Sequence, residues 1–208
     1  MTRTLAIAIT LGATLLAARP GEAQKFVRQD SVRALPAPVL LDPAGMFQDR
    51  YAKVGDDFFI AGQPTERALR EMKAQGVTTI VNLRTPPEMA RIGFDEEKLI
   101  AELGLKYVYI PVRGDSTFPY SPAALAKFTE TLRAAEGKVL LHCTVAWRAS
   151  HLWGAYLIQS GVPAADALAH TRAINLMDEH RMGPDGKQPV EEFLGKTLTK
   201  VKRPPANP

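Results

Sequence analysis

The strongest constraint on the fold is the alternation of short, continuously apolar segments with segments of helical periodicity. Residues 77–83 are rich in β-branched side chains and apolar at their centre, as expected of a strand covered on both faces. Residues 94–103 carry apolar side chains at helical spacing and are followed by Gly104, a common residue after a helix end. Strands that alternate with helices predict an α/β fold with a mostly parallel sheet.

The same two patterns recur along the chain. Further strands are predicted at residues 58–61, 105–111 and 138–142. Helices are predicted after the capping residues Thr65 and Ser121. Three more helices are predicted at residues 149–160, 163–174 and 190–201.

The first residues have the features of an export signal. Arg3 precedes an apolar run over residues 5–18, and small residues near Ala23 offer a cleavage site. The run is shorter than the roughly 20 residues that span a bilayer. We therefore predict a signal peptide over residues 1–23 and a periplasmic or secreted protein without stable membrane insertion; an uncleaved signal acting as a membrane tether is the alternative.

The rest of the chain divides into three parts. Residues 24–50 contain several prolines and no sustained periodicity, which indicates an extended leader lying over the domain. Residues 51–201 contain the predicted strands and helices and are predicted to form a single catalytic domain. Residues 202–208 form a tail.

Composition excludes several classes of function. The formal net charge of +4 is too small to indicate a nucleic-acid partner, although it suits an anionic substrate. The single cysteine, Cys143, excludes an internal disulfide and any metal site built from several cysteines. The four histidines lack the spacing of zinc ligands, so we expect no metal.

Cys143 follows the predicted strand at residues 138–142 and precedes a short turn and a helix. Crevices in open α/β sheets form beyond the carboxyl ends of the strands, where the next helix presents free N–H groups and a positive dipole end. The pattern therefore predicts an anion site that stabilises Cys143 as a nucleophilic thiolate. His142 is expected to fix the loop.

Arg148 lies at the start of the helix after Cys143. Its planar guanidinium can bind two oxygens of an anion and stabilise the charge that develops during transfer. The intervening residues are predicted to line the same site: Thr144, Val145, Ala146 and Trp147. The alternative is that Cys143 is a small buried apolar residue and Arg148 a surface residue, but the strand, turn, helix, histidine and arginine together favour function.

Several segments carry a family resemblance. They are residues 60–65, residues 76–84 with Glu88, residues 109–112, and His142 and Cys143 with Arg148. Together they resemble the bacterial tyrosine-phosphatase-like family with a short cysteine loop. That family is grouped with the β-lactamase hydrolase-like proteins, within the dual-specificity and tyrosine phosphatase superfamily. The resemblance covers roughly residues 58–175.

The resemblance implies a three-layer sandwich with a mostly parallel central sheet flanked by helices. It implies hydrolysis of phosphate monoesters through attack of Cys143 on phosphorus, with a cysteinyl-phosphate intermediate. The partner it implies is a phosphorylated protein or a small phosphate ester, and no cofactor is implied.

Such a reaction needs an acid for the leaving oxygen and later a base for water. We predict Asp115 for this role, because it lies in the loop between the strand at 105–111 and the helix after Ser121; the alternative is an ordinary turn aspartate beside Gly114. Arg84 and Glu88 are expected either to pair and brace the site or to cap a loop.

The cysteine loop departs from the phosphatase pattern in three ways. Only four residues separate Cys143 from Arg148, where tyrosine phosphatases have five, and Ala146 stands where family members often carry glycine. Alanine tolerates positive φ poorly. Trp147 is bulkier than expected beside a catalytic arginine, and it forms either a stacking wall for an aromatic substrate or part of the core. The short spacing also resembles rhodanese-like sulfurtransferases with a cysteine persulfide, and a non-catalytic domain that binds an anion or a partner is a third alternative.

Overall fold

The computed structural model describes residues 36–175 and 188–198. The predicted signal peptide and the tail at 202–208 lie outside these residues. Within them the chain forms a six-stranded sheet. The strands are β1 Val39–Leu41, β2 Tyr51–Val54, β3 Phe58–Ala61, β4 Val77–Asn82, β5 Lys106–Tyr109 and β6 Lys138–His142.

Seven helices accompany the sheet in the described residues. They are α1 Glu66–Ala74, α2 Pro86–Met89, α3 Glu96–Glu102, α4 Pro122–Arg133, α5 Trp147–Gln159, α6 Ala164–Arg172 and α7 Pro189–Leu194. In this part of the chain, every helix is too short or too polar to cross a bilayer.

The sheet has the order β1-β2-β3-β6-β4-β5. Strands β3, β6, β4 and β5 are mutually parallel, and β1 and β2 add antiparallel neighbours at one edge. The mostly parallel sheet predicted from the sequence is therefore confirmed. Because β6 lies between β3 and β4, the residue that follows its carboxyl end lies near the middle of the sheet edge.

Helices cover both faces of the sheet, and each face has its own apolar cluster. Leu69 of α1 and Ile100 of α3 belong to one cluster. Phe128 of α4, Trp153 of α5 and Phe193 of α7 belong to the other. The central strands are buried on both sides, as β4 shows with five buried residues of six. The three-layer sandwich is confirmed.

Local signals explain where the helices begin. The Thr65 side chain accepts a hydrogen bond from the Ala68 N–H, and the Ser121 side chain accepts one from the Ala124 N–H; each satisfies a donor that the first helical turn leaves free. Helices α3, α6 and α7 are shorter than predicted, because apolar periodicity continues beyond the helix ends, whereas α5 begins two residues earlier than predicted, at Trp147.

The structure adds three elements that were not predicted: β1, β2 and α2. Strand β1 belongs to the leader at 24–50, which thus contributes an edge strand as well as extended chain. Val39 and Leu40 are exposed and only Leu41 is half-buried, so β1 lacks the buried apolar pattern that makes a strand recognisable in a sequence. Further along the leader, the Met46 carbonyl accepts a hydrogen bond from the Thr65 N–H at 2.8 Å.

Candidate active site

A cavity of about 450 Å³ opens at the carboxyl end of β6. Four of the five residues predicted to bind an anion line it, together with Cys143: Thr144, Val145, Trp147 and Arg148. Ala146, the fifth, is fully buried behind them and does not line the cavity. Glu88, predicted as a supporting residue, lines it as well.

Cys143 follows the last residue of β6 directly. Its backbone N–H donates to the Ala61 carbonyl of β3 at 3.3 Å, which continues the pairing of the two strands by one residue. The cysteine is only 1% exposed, and it contributes to both the apolar cluster and the cavity wall. The sulfur thus lies where the core meets the cavity.

The loop after Cys143 has its carbonyl groups bonded to the surrounding protein. The Thr144 carbonyl accepts from the Gln63 N–H at 2.9 Å, and the Val145 carbonyl accepts from the Asn175 side-chain amide. The first N–H groups of a helix lack partners within that helix and carry its positive dipole end. The start of α5 therefore supplies N–H donors and partial positive charge at the loop.

Ala146 occupies the N-cap position of α5 with φ of +63°. This left-handed conformation costs an alanine about 1 kcal/mol relative to a right-handed one. The residue is fully buried, and its carbonyl accepts from the Ser150 N–H at 2.9 Å and the Ser150 hydroxyl at 2.8 Å. The loop therefore adopts a glycine-type conformation without the glycine.

Arg148 is buried and is held by two parallel contacts with Glu88. Its Nη2 donates to Glu88 Oε1 at 2.6 Å, and its Nη1 donates to Oε2 at 2.9 Å. Nη1 also donates to the Val112 carbonyl at 2.8 Å. Burial alone would lower the pKa of Arg148, but the negative charge of Cys143 and the Glu88 carboxylate outweigh it and raise that pKa. The guanidinium is fixed and fully charged.

Glu88 is itself fixed at the start of the short helix α2. Its Oε2 accepts from the Thr85 N–H at 2.9 Å and from the Thr85 hydroxyl at 2.8 Å, which forms a capping box. Burial favours the neutral acid, but the hydrogen bonds from Arg148 and Thr85 prevail and lower the pKa of Glu88 to about 2. The carboxylate is therefore ionised throughout the neutral range.

Thr144 completes this group. Its hydroxyl donates to Glu88 Oε1 at 2.9 Å and accepts from Arg148 Nη2 at 2.9 Å. The cysteine loop is thereby linked to both members of the ion pair.

Of the two roles predicted for Arg84 and Glu88, pairing and capping, their side-chain pair is not formed, whereas Glu88 does cap α2. Arg84 Nη2 donates instead to the backbone carbonyl of Glu88 at 3.0 Å, and Nη1 donates to Gln63 Oε1 at 2.6 Å. Glu88 prefers Arg148, because the cap with Thr85 turns its carboxylate toward the cysteine loop. Both residues brace the site, but through different partners.

A buried polar network lies behind the loop. The Glu96 carboxylate accepts from Gln63 Nε2 at 2.6 Å and from Asn82 Nδ2 at 2.8 Å. His142 Nε2 lies 3.2 Å from Glu96 Oε1, within ion-pair distance but not aligned as a hydrogen bond. Burial would raise the pKa of Glu96, but His142 and the two amides lower it. His142, predicted to fix the loop, is thus anchored to Glu96.

Asp115 does not line the cavity. Its Oδ1 accepts from the N–H groups of Thr117 at 3.0 Å and Phe118 at 2.8 Å, which closes a turn. The same loop does reach the cavity on either side of this turn, through Arg113 and Tyr120. The acid role of Asp115 therefore stays a prediction that depends on movement of this loop.

Sequence reasoning missed four residues of the cavity: Asp49, Arg113, Tyr120 and Asn175. All four lie outside the helices and strands, where no periodicity marks a position.

Trp147 is half-buried and lines the cavity, and the centroid of its ring lies 4.1 Å from that of the His151 ring. It therefore serves as a cavity wall. Among the described residues, no group of three or more His, Cys, Asp or Glu side chains is arranged to hold a metal ion.

The family model for the phosphatase-like domain of β-lactamase hydrolase-like proteins matches residues 50–162. The β-lactamase hydrolase-like protein of Xylella fastidiosa (strain 9a5c) is 30% identical over 132 residues, which is 61% of this chain and 30% of that protein. The one from Agrobacterium fabrum is 32% identical over 103 residues, which is 49% of this chain and 23% of that protein. The match thus spans less than a third of the length of these curated relatives.

Solved structures show a similar fold. A DUF442 protein from Shewanella putrefaciens has a TM-score of 0.55 and 23% identity, and the match covers 73% of this chain and 92% of that one. TpbA from P. aeruginosa has a TM-score of 0.53 and 15% identity, with 76% and 89% covered. TpbA has also been crystallised in complex with phosphotyrosine. At these identities the similarity establishes the α/β fold of the phosphatases.

Proposed function

This chain belongs to the family of phosphatase-like domains found in β-lactamase hydrolase-like proteins, and from that premise we propose that it is a cysteine-dependent phosphatase. The reaction is hydrolysis of a phosphate monoester, protein-bound or small. Cys143 is the nucleophile, Arg148 binds the phosphoryl oxygens, and Asp115 is the acid and later the base. No cofactor takes part.

The observation that carries the proposal is that Cys143 and Arg148 line one cavity at the start of α5. A thiolate there faces the positive end of a helix of 13 residues and a guanidinium whose charge is fixed by Glu88. Both favour the anionic sulfur and an anionic substrate. The same charges stabilise the negative charge that is spread over the phosphoryl oxygens in the transition state.

The reaction has two steps. Cys143 Sγ forms a bond to phosphorus while the bond from phosphorus to the ester oxygen breaks, and that oxygen takes a proton from Asp115. Water then forms a bond to phosphorus and gives a proton to Asp115, the sulfur–phosphorus bond breaks, and Cys143 leaves as the thiolate. Orthophosphate and the free alcohol are the products.

Arg148 has to hold oxygens although its Nη atoms already have protein acceptors. Its Nη2 bond to the Thr144 hydroxyl is the one that a substrate oxygen can replace, because the hydroxyl keeps its own hydrogen bond to Glu88. The contacts with Glu88 then keep the guanidinium in place while the substrate is bound and released.

The cavity walls favour an aryl phosphate. Tyr120 and Trp147 both line it, and aromatic walls pack well against a substrate ring. Arg113 adds a second cation, with a side chain that is 60% exposed, which suits a dianion approaching from solvent. A phosphotyrosine side chain or a small aryl phosphate is therefore the preferred substrate class.

The proposed location is the periplasm or the outside of the cell. The export signal predicted over residues 1–23 supports it. A fusion of these residues to a reporter enzyme that is active only after export tests the location.

The function is tested by measuring phosphate release from p-nitrophenyl phosphate and from phosphotyrosine. The proposal expects turnover by the wild-type protein, inhibition by vanadate, and loss of turnover in Cys143→Ser. A parallel assay with thiosulfate and cyanide measures thiocyanate; its formation in place of phosphate release would assign the protein to the sulfurtransferases. Saturable phosphate binding at the cysteine loop without either product would leave a binding domain.

A further inference from the structure

A second, larger cavity of about 690 Å³ lies on the described part of the chain. Its lining comes from the leader turn at residues 45–48, the segment 63–67 that opens α1, Arg84, and the turn at residues 91–94. None of its lining residues lines the cavity of Cys143. The two cavities are therefore separate sites.

The second cavity is rich in positive charge. Arg67, Arg84 and Arg91 line it, and the acidic side chain among its lining residues is Glu66. Glu66 Oε2 lies 4.0 Å from Arg70 Nη2, so part of its charge is offset by a residue outside the cavity. The cavity therefore presents a net positive potential to a ligand.

Arg84 differs from an ordinary surface arginine because its guanidinium is buried and has no carboxylate partner in the described part of the chain. It is 93% buried, since only 7% of it is exposed, and its hydrogen-bond acceptors are neutral: Gln63 Oε1 and the Glu88 backbone carbonyl. Its Nε has no partner among the described residues. A buried guanidinium bound only to neutral acceptors is costly, because attraction to a carboxylate normally offsets the loss of hydration.

The nearest carboxylates are already engaged elsewhere. Glu88 is paired with Arg148, and Glu96 with His142, Gln63 and Asn82. Burial lowers the pKa of Arg84, although Glu88 and Glu96 counteract part of this effect. An anion in the cavity would supply the negative charge that this guanidinium lacks.

Arg67 and Arg91 complete the site from the solvent side. Both are exposed, and Arg67 Nη2 donates to the Ala44 carbonyl at 2.9 Å, which holds the side chain against the leader turn. Arginine donors are arranged in a planar fork that matches phosphate geometry. The three guanidiniums together supply the positive charge and the donors that a doubly charged oxyanion needs.

We propose that this cavity is a second anion site, which binds a phosphate group, free or as a monoester, through Arg84, Arg67 and Arg91. The site takes its ligand without covalent chemistry, and its occupancy does not depend on Cys143. A phosphate bound there lies next to the Arg84 contact with the Glu88 carbonyl and thus close to the ion pair that fixes Arg148.

The experiment is a titration of the Cys143→Ser protein, which cannot turn over its ligand, with inorganic phosphate and separately with phenyl phosphate. Binding is followed by NMR through the backbone amides around residues 63–67 and 91–94 and through those of the cysteine loop. Ionic strength is held constant with chloride. The matched control for charge removal is Arg133→Ala, an exposed arginine on α4 outside both cavities.

The proposal expects saturable shifts at residues 63–67 and 91–94 that persist in an Arg148→Ala background. Replacing Arg67 and Arg91 together with alanine should weaken this binding by roughly tenfold or more, since each replacement removes a charge-assisted contact. Arg133→Ala should leave the binding unchanged.

Absence of saturable shifts at residues 63–67 and 91–94, or equal weakening by Arg133→Ala, overturns the proposal. Binding of phosphate with no binding of phenyl phosphate would restrict the site to the free anion. Failure of phosphate release in the enzyme assay would not affect any of these outcomes.

Discussion

Glu88 and Arg148, sixty positions apart in the chain, face each other with two side-chain contacts of 2.6 and 2.9 Å. Glu88 is set at the start of α2 by its cap with Thr85, and Arg148 at the start of α5 by its position after the cysteine loop. The pair joins two segments that follow neighbouring strands, β4 and β6. It fixes the cation on which the proposed chemistry depends.

The first prediction concerns this pair and pH. Replacement Glu88→Gln should lower the free energy of unfolding at pH 7 by about 2 kcal/mol, less than for a fully buried pair because solvent screens part of it. The pKa of Glu88 is lowered from 4.5 to about 2, so its contribution is complete above pH 4.5 and is lost as pH falls toward 2. Urea unfolding of both proteins from pH 7 down to pH 2.5 measures the difference, which should shrink over the acidic range. A constant difference would contradict the pairing.

The second prediction concerns Gly62, whose hydrogen faces the backbone of two other segments. A Cβ there would lie 1.7 Å from the Gln48 carbonyl oxygen and 2.8 Å from the Thr144 carbonyl oxygen. Backbone cannot move aside cheaply, so Gly62→Ala should cost more than about 3 kcal/mol and displace the cysteine loop. Thermal unfolding and phosphatase assays measure the two effects.

Gly93 provides the control for that replacement. It has φ of +80° but open space around its Cβ position, so Gly93→Ala should cost only about 1 kcal/mol. Equal losses of stability in the two variants would show that close approach at Gly62 is not the cause.

The third prediction concerns the left-handed alanine of the cysteine loop. Ala146→Gly relieves the strain at φ of +63° but loses a buried methyl group, so we expect a net change within about 1 kcal/mol. Ala149 is equally buried but lies within α5. Glycine at this position loses the same methyl contacts and in addition lowers stability through its poor helix propensity. Ala149→Gly should therefore be about 2 kcal/mol more destabilising than Ala146→Gly in urea unfolding. Equal costs would mean that the loop is unstrained.

The fourth prediction concerns the acid. Asp115→Asn preserves the acceptor that closes the turn with Thr117 and Phe118 but removes the proton donor. It should lower kcat about 100-fold or more for phosphotyrosine, and much less for p-nitrophenyl phosphate, whose leaving group needs no proton. Asp49 lines the cavity with φ of +64° and is the matched control. If Asp49→Asn shows the leaving-group dependence and Asp115→Asn does not, the acid is Asp49.

The sequence was most informative about residues whose position is set by one adjacent strand and one adjacent helix, as that of Cys143 is. The buried strand β6, the cysteine and the helix that carries Arg148 follow from apolar patterning within some twenty residues, and the structure has them in the predicted order. The same holds for the caps Thr65 and Ser121. Here the local signals and the fold agree.

Contacts between distant segments could not be predicted in this way. The partner of Glu88 depends on how α2 and α5 lie across the sheet edge, and the sequence therefore left open whether Glu88 pairs with nearby Arg84 or caps a loop. Strand β1 is formed by its pairing with β2, and two of its three residues are exposed. Glu96 resembles an ordinary acidic residue at a helix start, and only the packing of α3 shows that it is buried beneath His142.

The account rests on covalent catalysis by Cys143, and trapping the intermediate tests it most directly. The wild-type protein is mixed with p-nitrophenyl phosphate, quenched in acid within the first turnover, and analysed by mass spectrometry of the peptide that contains Cys143. The account predicts a mass increase of one HPO₃ group on that peptide, located on the cysteine and absent in Cys143→Ser. Phosphate release at an undiminished rate by Cys143→Ser, with no modified peptide in the wild-type protein, would contradict it.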